Sequence, residues 1–173
     1  MRQLVLVGFM GAGKTTVGAQ LATKMNTYQR DLDQLIEQRL GETIASYFDR
    51  VGEHQFRQFE TQILQEYADQ SAILSTGGGI VMQTINRQIL KQSSAPVVYL
   101  KTQPEELLHR LKDDLDRPLL KQMDHAAFTK LWQYREPLYQ EVADVTIETD
   151  QLTPTQIVSE IINQLEMRQQ NNG

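Results

Sequence analysis

Gly8-Phe9-Met10-Gly11-Ala12-Gly13-Lys14-Thr15 decides how the rest of the chain is read. It matches G-x-x-x-x-G-K-[ST], follows the apolar run Leu4-Val5-Leu6-Val7 and leads into a helical pattern from Lys14 to Met25. Strand, glycine turn and helix in that order form the context the motif requires. The glycines let successive backbone N–H groups curl around phosphate oxygens, and the helix N-terminus adds positive potential. Lys14 then reaches the outer phosphates, and the Thr15 hydroxyl can ligate Mg²⁺. As plain structure, the same residues make a tight turn and a solvated first-turn lysine. Nor does the motif name the phosphate acceptor, since GTPases, ATPases and small-molecule kinases share it.

Outward from that loop, strand and helix candidates alternate. A second strand lies around Tyr28 to Arg30, and Leu32, Leu35, Ile36 and Leu40 then recur at helical spacing up to Gly41, a C′ glycine. Phe56, Phe59, Ile63, Leu64 and Tyr67 mark one face of a long helix. Ala72–Ser75 and Pro96–Leu100 are further strands, each followed by a helical pattern. Pro104 opens a helix with Leu107, Leu108 and Leu111, and another around Phe128, Leu131 and Trp132 leads to Arg135. Val145 and Ile147 suggest the last strand, and Pro154 starts a helix with Ile157, Ile161 and Leu165 on one face. The alternation predicts an α/β fold of three layers, a parallel sheet wrapped on both faces by helices. With no repeat or linker, 1–168 reads as one domain and 169–173 as a frayed tail. The charged stretch 113–123, which contains Pro118, suits a mobile lid.

Composition narrows the function classes. The 173 residues carry 17 Lys and Arg against 22 Asp and Glu, a net charge of −5, which argues against sequence-blind binding to nucleic acid or an anionic membrane. No cysteine is present, so disulfides, thiolate metal sites and cysteine nucleophiles are excluded together, and the cytoplasm is the expected compartment. The opening Met1-Arg2 and its apolar run do not read as a signal peptide, because glycines interrupt it and Lys14 follows. No apolar run approaches the roughly 20 residues of a membrane span. His54, His109 and His125 lack zinc-like spacing, and Trp132 and the tyrosines have no basic stripe beside them. They read as structural or surface residues.

The acceptor side is more open. Asp31-Leu32-Asp33 falls at the carboxyl edge of the sheet, where open α/β folds bind ligands. One acid could hold metal-bound water while the other takes or orients an acceptor proton, or the two could be a helix N-cap and a first-turn acid. Arg57, Arg117 and Arg135 offer guanidinium forks suited to carboxylate and phosphate, although helical arginines are more often simply solvated. Thr76-Gly77-Gly78-Gly79 permits close approach of backbone and ligand, and a plain turn explains it too.

Taken together these residues resemble the shikimate kinases from Leu4 to about Pro154. The phosphate loop, Asp31-Leu32-Asp33 with Ile36-Glu37, and Gly52-Glu53-His54-Gln55-Phe56-Arg57 with Glu60 carry the likeness. So do Thr76–Gly79, Asn86-Arg87, Arg117-Pro118-Leu119-Leu120 and Arg135-Glu136-Pro137-Leu138-Tyr139. The resemblance implies a five-stranded parallel sheet of the nucleoside monophosphate kinase type with a lid, and transfer of the ATP γ-phosphoryl group to the 3-hydroxyl of shikimate. It implies that Asp33 binds shikimate hydroxyls, Arg57 and Arg135 grip the carboxylate, and Gly78 and Gly79 line the pocket. Gly11, Ala12, Gly13, Lys14, Thr15 and Thr16 would cradle the nucleotide, with Arg110 and Pro154 flanking adenine and Arg117 reaching from the lid to the transferring phosphate. Lys14, Asp33 and Arg117 would be the catalytic set, and Thr15 and Asp31 would surround Mg²⁺. Two departures are minor: Leu32 stands where a small residue is usual, and Thr15 where Ser is frequent.

Two rivals remain at this level. A related small-molecule kinase such as a gluconate kinase would keep the loop and change the acceptor, and Arg57, Arg135 and the triple glycine argue against it. A nucleotide-binding regulatory module without turnover would be favoured by loss of Lys14, Asp33 or Arg117, and all three are present. A monomer acting on small molecules, with neither nucleic-acid nor membrane partner, is the default expectation.

Overall fold

Val and Leu fill every position of β1 (Leu4–Val7), and all four side chains are buried, as expected of a strand covered on both faces. The computed structural model describes residues 3–112 and 124–173. In chain order, β1 is followed by α1 (Lys14–Lys24), β2 (Gln29–Asp31), α2 (Leu32–Leu40), α3 (Ile44–Val51) and α4 (Glu53–Tyr67). Then come β3 (Ile73–Ser75), a single 3₁₀ turn (Ile80–Met82), α5 (Thr84–Gln92), β4 (Val97–Lys101) and α6 (Pro104–Leu111). The chain closes with α7 (His125–Val142), β5 (Val145–Glu148) and α8 (Pro154–Asn171). The lid segment 113–123, and Arg117 with it, lies outside the described residues.

The five strands are parallel in the order β2-β3-β1-β4-β5. Register places Asp31 beside Ser75 and Ser75 beside Leu6, so β2, β3 and β1 deliver their following loops to one carboxyl edge. Helices cover the sheet, and one apolar core runs from Leu4 to Leu165. Among the described residues no helix is long and apolar enough to cross a membrane.

Three elements depart from the sequence reading. Helix α3 is additional; Thr43 caps it by accepting from the Ser46 N–H at 3.1 Å, and none of its residues is buried. Helix α7 continues through Pro137 to Val142, although the proline ring removes one ladder N–H. Helix α8 continues to Asn171, three residues into the segment read as frayed. There Arg168 anchors the last turns by donating to the Asp144 carbonyl at 2.8 Å and its carboxylate at 3.1 Å.

Candidate active site

The phosphate loop bends between β1 and α1 because Gly13, at φ 92°, takes a left-handed conformation that a side chain would resist. Two neighbouring strands then seat the first turn of α1. Gln29 of β2 donates to the Thr15 carbonyl at 2.7 Å, and the Ser75 hydroxyl of β3 donates to the Lys14 carbonyl at 3.2 Å. Lys14 Nζ lies back over the loop, 2.5 Å from the Gly8 carbonyl and 3.0 Å from that of Phe9. A cleft of about 340 Å³ opens here, lined by Gly11, Gly13, Lys14, Thr15 and Thr16 on one side and Asp31, Asp33, Thr76 and Gly78 on the other.

Asp31 is the N-cap that one of its sequence readings gave, and its second oxygen faces the phosphate loop. One carboxylate oxygen accepts the Gln34 N–H at 3.2 Å and caps α2, while the other accepts from the Thr15 hydroxyl at 3.3 Å. Arg110 lies across the opposite rim, with Nη1 3.3 Å from the Gly11 carbonyl and Nε 3.1 Å from Glu106. Beside it, a second cavity of about 240 Å³ is bounded by Gly11, Ala12, Gly13, Thr16, Arg110 and Pro154. Pro154 is held there by the capping box of α8, in which Thr153 and Gln156 satisfy each other's backbone N–H.

The triple glycine after β3 explains how the acceptor-side residues come together. A Cβ on Gly77 would stand 3.0 Å from Asp33 Oδ1, one on Gly78 3.5 Å from Arg135 Nη1, and one on Gly79 2.6 Å from Arg57 Nη2. Three consecutive residues without side chains thus give room to one carboxylate and two guanidinium heads drawn from α2, α7 and α4. The loop is held from behind: Asn86 donates to the Ile80 carbonyl at 3.0 Å and accepts from Thr61 at 2.6 Å, and the Tyr139 hydroxyl donates to the Gly78 carbonyl at 2.6 Å. Arg135 also lies over the ring of Phe9, 5.3 Å from its centroid, which ties the acceptor side to the phosphate loop.

Charge at this corner is concentrated in low-exposure groups. Glu60, only 2% exposed, accepts from Arg57 Nη1 at 2.9 Å. Burial raises its carboxyl above the ordinary value, and Arg57 opposes that shift by charge and hydrogen bond. Asp33 adds to the rise and Arg135 counters it. Burial also pushes the Tyr139 hydroxyl up, against the lowering effect of the Arg135 guanidinium beside it. Among the described residues, the buried Nε atoms of Arg57 and Arg135 find no hydrogen-bond partner. Glu60 and Tyr139 stand in the quoted motifs, but sequence gave neither a role, because a helical position does not reveal which buried partner it meets.

Of the expected residues, the described structure brings Lys14, Thr15, Thr16, Asp31, Asp33, Gly78, Arg57 and Arg135 to one corner and places Arg110 and Pro154 along the loop's far side. A phosphate loop on a five-stranded parallel sheet, facing a polar acceptor corner, defines a phosphotransferase of the P-loop class. Residues 10–166 match the family model described as shikimate kinase. A shikimate kinase of Enterococcus faecalis is 44% identical over 167 residues, covering 95% of this chain and 99% of the relative. Shikimate kinase from Acinetobacter baumannii, solved in complex with shikimate, superposes with a TM-score of 0.89 at 41% identity, over 97% of this chain and 94% of that one. The Aquifex aeolicus shikimate kinase gives 0.82 at 31% identity, over 95% and 96%. The chain belongs to the shikimate kinase family.

Proposed function

We propose that the chain transfers the γ-phosphoryl group of ATP to the 3-hydroxyl of shikimate, giving shikimate 3-phosphate and ADP on the route to chorismate and the aromatic amino acids. The observation that carries this reading is the triple-glycine floor with Asp33, Arg135 and Arg57 each against one glycine, at the mouth of the phosphate loop. A small hydroxy acid needs cations for its carboxylate and an acid for its hydroxyls, and this corner supplies both. Arg57 and Arg135 grip the carboxylate, Asp33 orients the 3-hydroxyl and takes or guides its proton, and Gly78 and Gly79 let the ring approach.

Gly11, Ala12, Gly13 and Thr16 present the loop to the phosphates, Lys14 neutralises charge on the transferring group, and Arg110 and Pro154 flank the adenine. Arg117, from the segment outside the described residues, supplies further positive charge at the transferred phosphoryl group. Such transfer asks little covalent chemistry of the protein, so positioning and charge carry the rate. The paired Thr15 hydroxyl and Asp31 carboxylate are an all-oxygen donor set of the kind Mg²⁺ prefers, so these two residues fit the ion. When bound, Mg²⁺ neutralises charge on the nucleotide phosphates. The enzyme works in the cytoplasm as a monomer on these small molecules.

The deciding experiment is ADP formation from Mg²⁺-ATP with shikimate, beside gluconate and a control without acceptor, with the product identified by mass. Turnover that depends on shikimate is expected. Turnover on gluconate alone, or nucleotide binding with no turnover on either, would overturn the assignment.

A further inference from the structure

Tyr139 is fully buried, and its hydroxyl holds the glycine loop. It donates to the Gly78 carbonyl at 2.6 Å, and the Arg135 guanidinium, one helical turn earlier on α7, lies against the same glycine, its Nη1 3.5 Å from where a Gly78 Cβ would stand. Its ring stacks on Tyr99 of β4 with centroids 5.0 Å apart. The Tyr99 hydroxyl in turn donates to Glu136, which also meets Lys101 at 3.2 Å. Pro137 lies between Arg135 and Tyr139, so the α7 ladder lacks one N–H there and the helix does not stiffen itself at that point. These contacts anchor α7 from outside at the turn that carries Arg135.

We propose that Tyr139 is a positioning residue for acceptor binding, its hydroxyl holding Gly78 against the Arg135 head so that the guanidinium and the glycine loop meet the substrate carboxylate in one fixed arrangement. The proposal rests on the acceptor reading above and deepens it. A long arginine side chain loses rotamer freedom when it binds, and a partner that orders it beforehand removes that cost from binding. The same hydroxyl holds the middle glycine of the loop, so one hydrogen-bonding atom sets the distance between two parts of the pocket. A site loosened by even about 1 Å loses affinity and rate together.

Tyr139→Phe keeps the ring, its volume and its stack on Tyr99 and removes one oxygen. Shikimate and nucleotide affinities are measured separately by calorimetry, alone and combined with Arg135→Met, with thermal unfolding followed beside them. The expected result is a shikimate affinity weaker by up to about tenfold, the scale of one lost hydrogen bond, with nucleotide affinity unchanged. In the Arg135→Met background, Tyr139→Phe is expected to weaken shikimate binding no further. Wild-type protein that does not bind shikimate would overturn the acceptor reading and this inference together. Normal wild-type binding with an unchanged Tyr139→Phe variant would overturn this inference alone. Parallel loss of nucleotide and shikimate affinity, or an additive loss with Arg135→Met, would also overturn it, since the hydroxyl would then act on the fold at large or independently of Arg135.

Discussion

Thr15 and Asp31 meet across 3.3 Å, the hydroxyl donating to one carboxylate oxygen while the other oxygen caps α2 through the Gln34 N–H. Asp33 stands two residues further on, in the first turn of that helix, with its carboxylate against Gly77. The acid beside the phosphate loop therefore also sets the start of the helix that presents the acid beside the triple glycine. The two oxygens of one side chain thus serve the start of α2 and the phosphate loop.

Substitution of Asp31 separates them. Asparagine caps about as well as aspartate, whereas alanine forfeits about 1 kcal/mol at such a position. Urea unfolding is expected to show Asp31→Asn close to wild type and Asp31→Ala less stable by about that amount, while both lose Mg²⁺-dependent turnover. Equal unfolding midpoints for the two variants would show that the cap contributes nothing.

Gly79→Ala tests the glycine floor. The backbone there has φ −87° and ψ 5°, which alanine adopts without strain, so any loss of stability comes from disturbing the buried Arg57–Glu60 pair and not from the backbone. The new methyl would fall 2.6 Å from Arg57 Nη2 and 2.8 Å from Nη1, and the guanidinium must move aside. Shikimate affinity is expected to drop by about tenfold or more, because a charge-assisted contact is displaced. Nucleotide affinity, set by a loop Arg57 does not touch, stays the same. Retained shikimate affinity in a correctly folded variant would refute the clamp role of Arg57.

Where meaning is local, the sequence carries it: an apolar run closed by Gly8 gives β1, and the loop pattern with its strand and helix gives the nucleotide side. Helix α3 went unread although Ile44, Tyr47, Phe48 and Val51 recur at helical spacing along it, because it is only eight residues long and its apolar face is only partly buried. Arg57, Arg135 and the triple glycine were each ambiguous because their sense lies in a juxtaposition across α4, α7 and the loop after β3. Residue type shows that an arginine can bind a carboxylate. It does not show that the residue opposite lacks a Cβ to make room. Glu60 and Tyr139 were harder still, since only tertiary packing buries them.

Glu60 gives the site a pH signature. Its folded carboxyl lies above the ordinary value of 4.5, chiefly through burial, against the pull of Arg57. The native state thus holds the proton more tightly than the unfolded chain does. The stability this contributes is complete below about 4.5 and declines as pH rises through the folded value. Glu60→Gln cannot ionise, so its stability relative to wild type is expected to improve as pH rises through that window. Denaturant melts of both proteins across the acid range check this, and parallel profiles would contradict it.

Gly18→Ala probes how α1 is seated. A Cβ there would stand 2.6 Å from Gln29 Nε2 and 2.9 Å from Ser75 Oγ. The glutamine head can swing away, but the serine is short, buried and fixed in β3, so α1 itself must shift. Overpacking of this kind costs about 1–3 kcal/mol. The displaced groups are the ones that hold the Thr15 and Lys14 carbonyls, so the movement is delivered to the first turn of the phosphate-binding helix. Nucleotide affinity is therefore expected to fall while shikimate affinity, set by the glycine floor and the two arginines, is kept. Adding Ser75→Ala removes the offending oxygen and is expected to restore part of both stability and nucleotide affinity. If the double variant is no better than Gly18→Ala, the helix is displaced by some other contact, and the hydroxyl of β3 does not govern how Lys14 and Thr15 are placed.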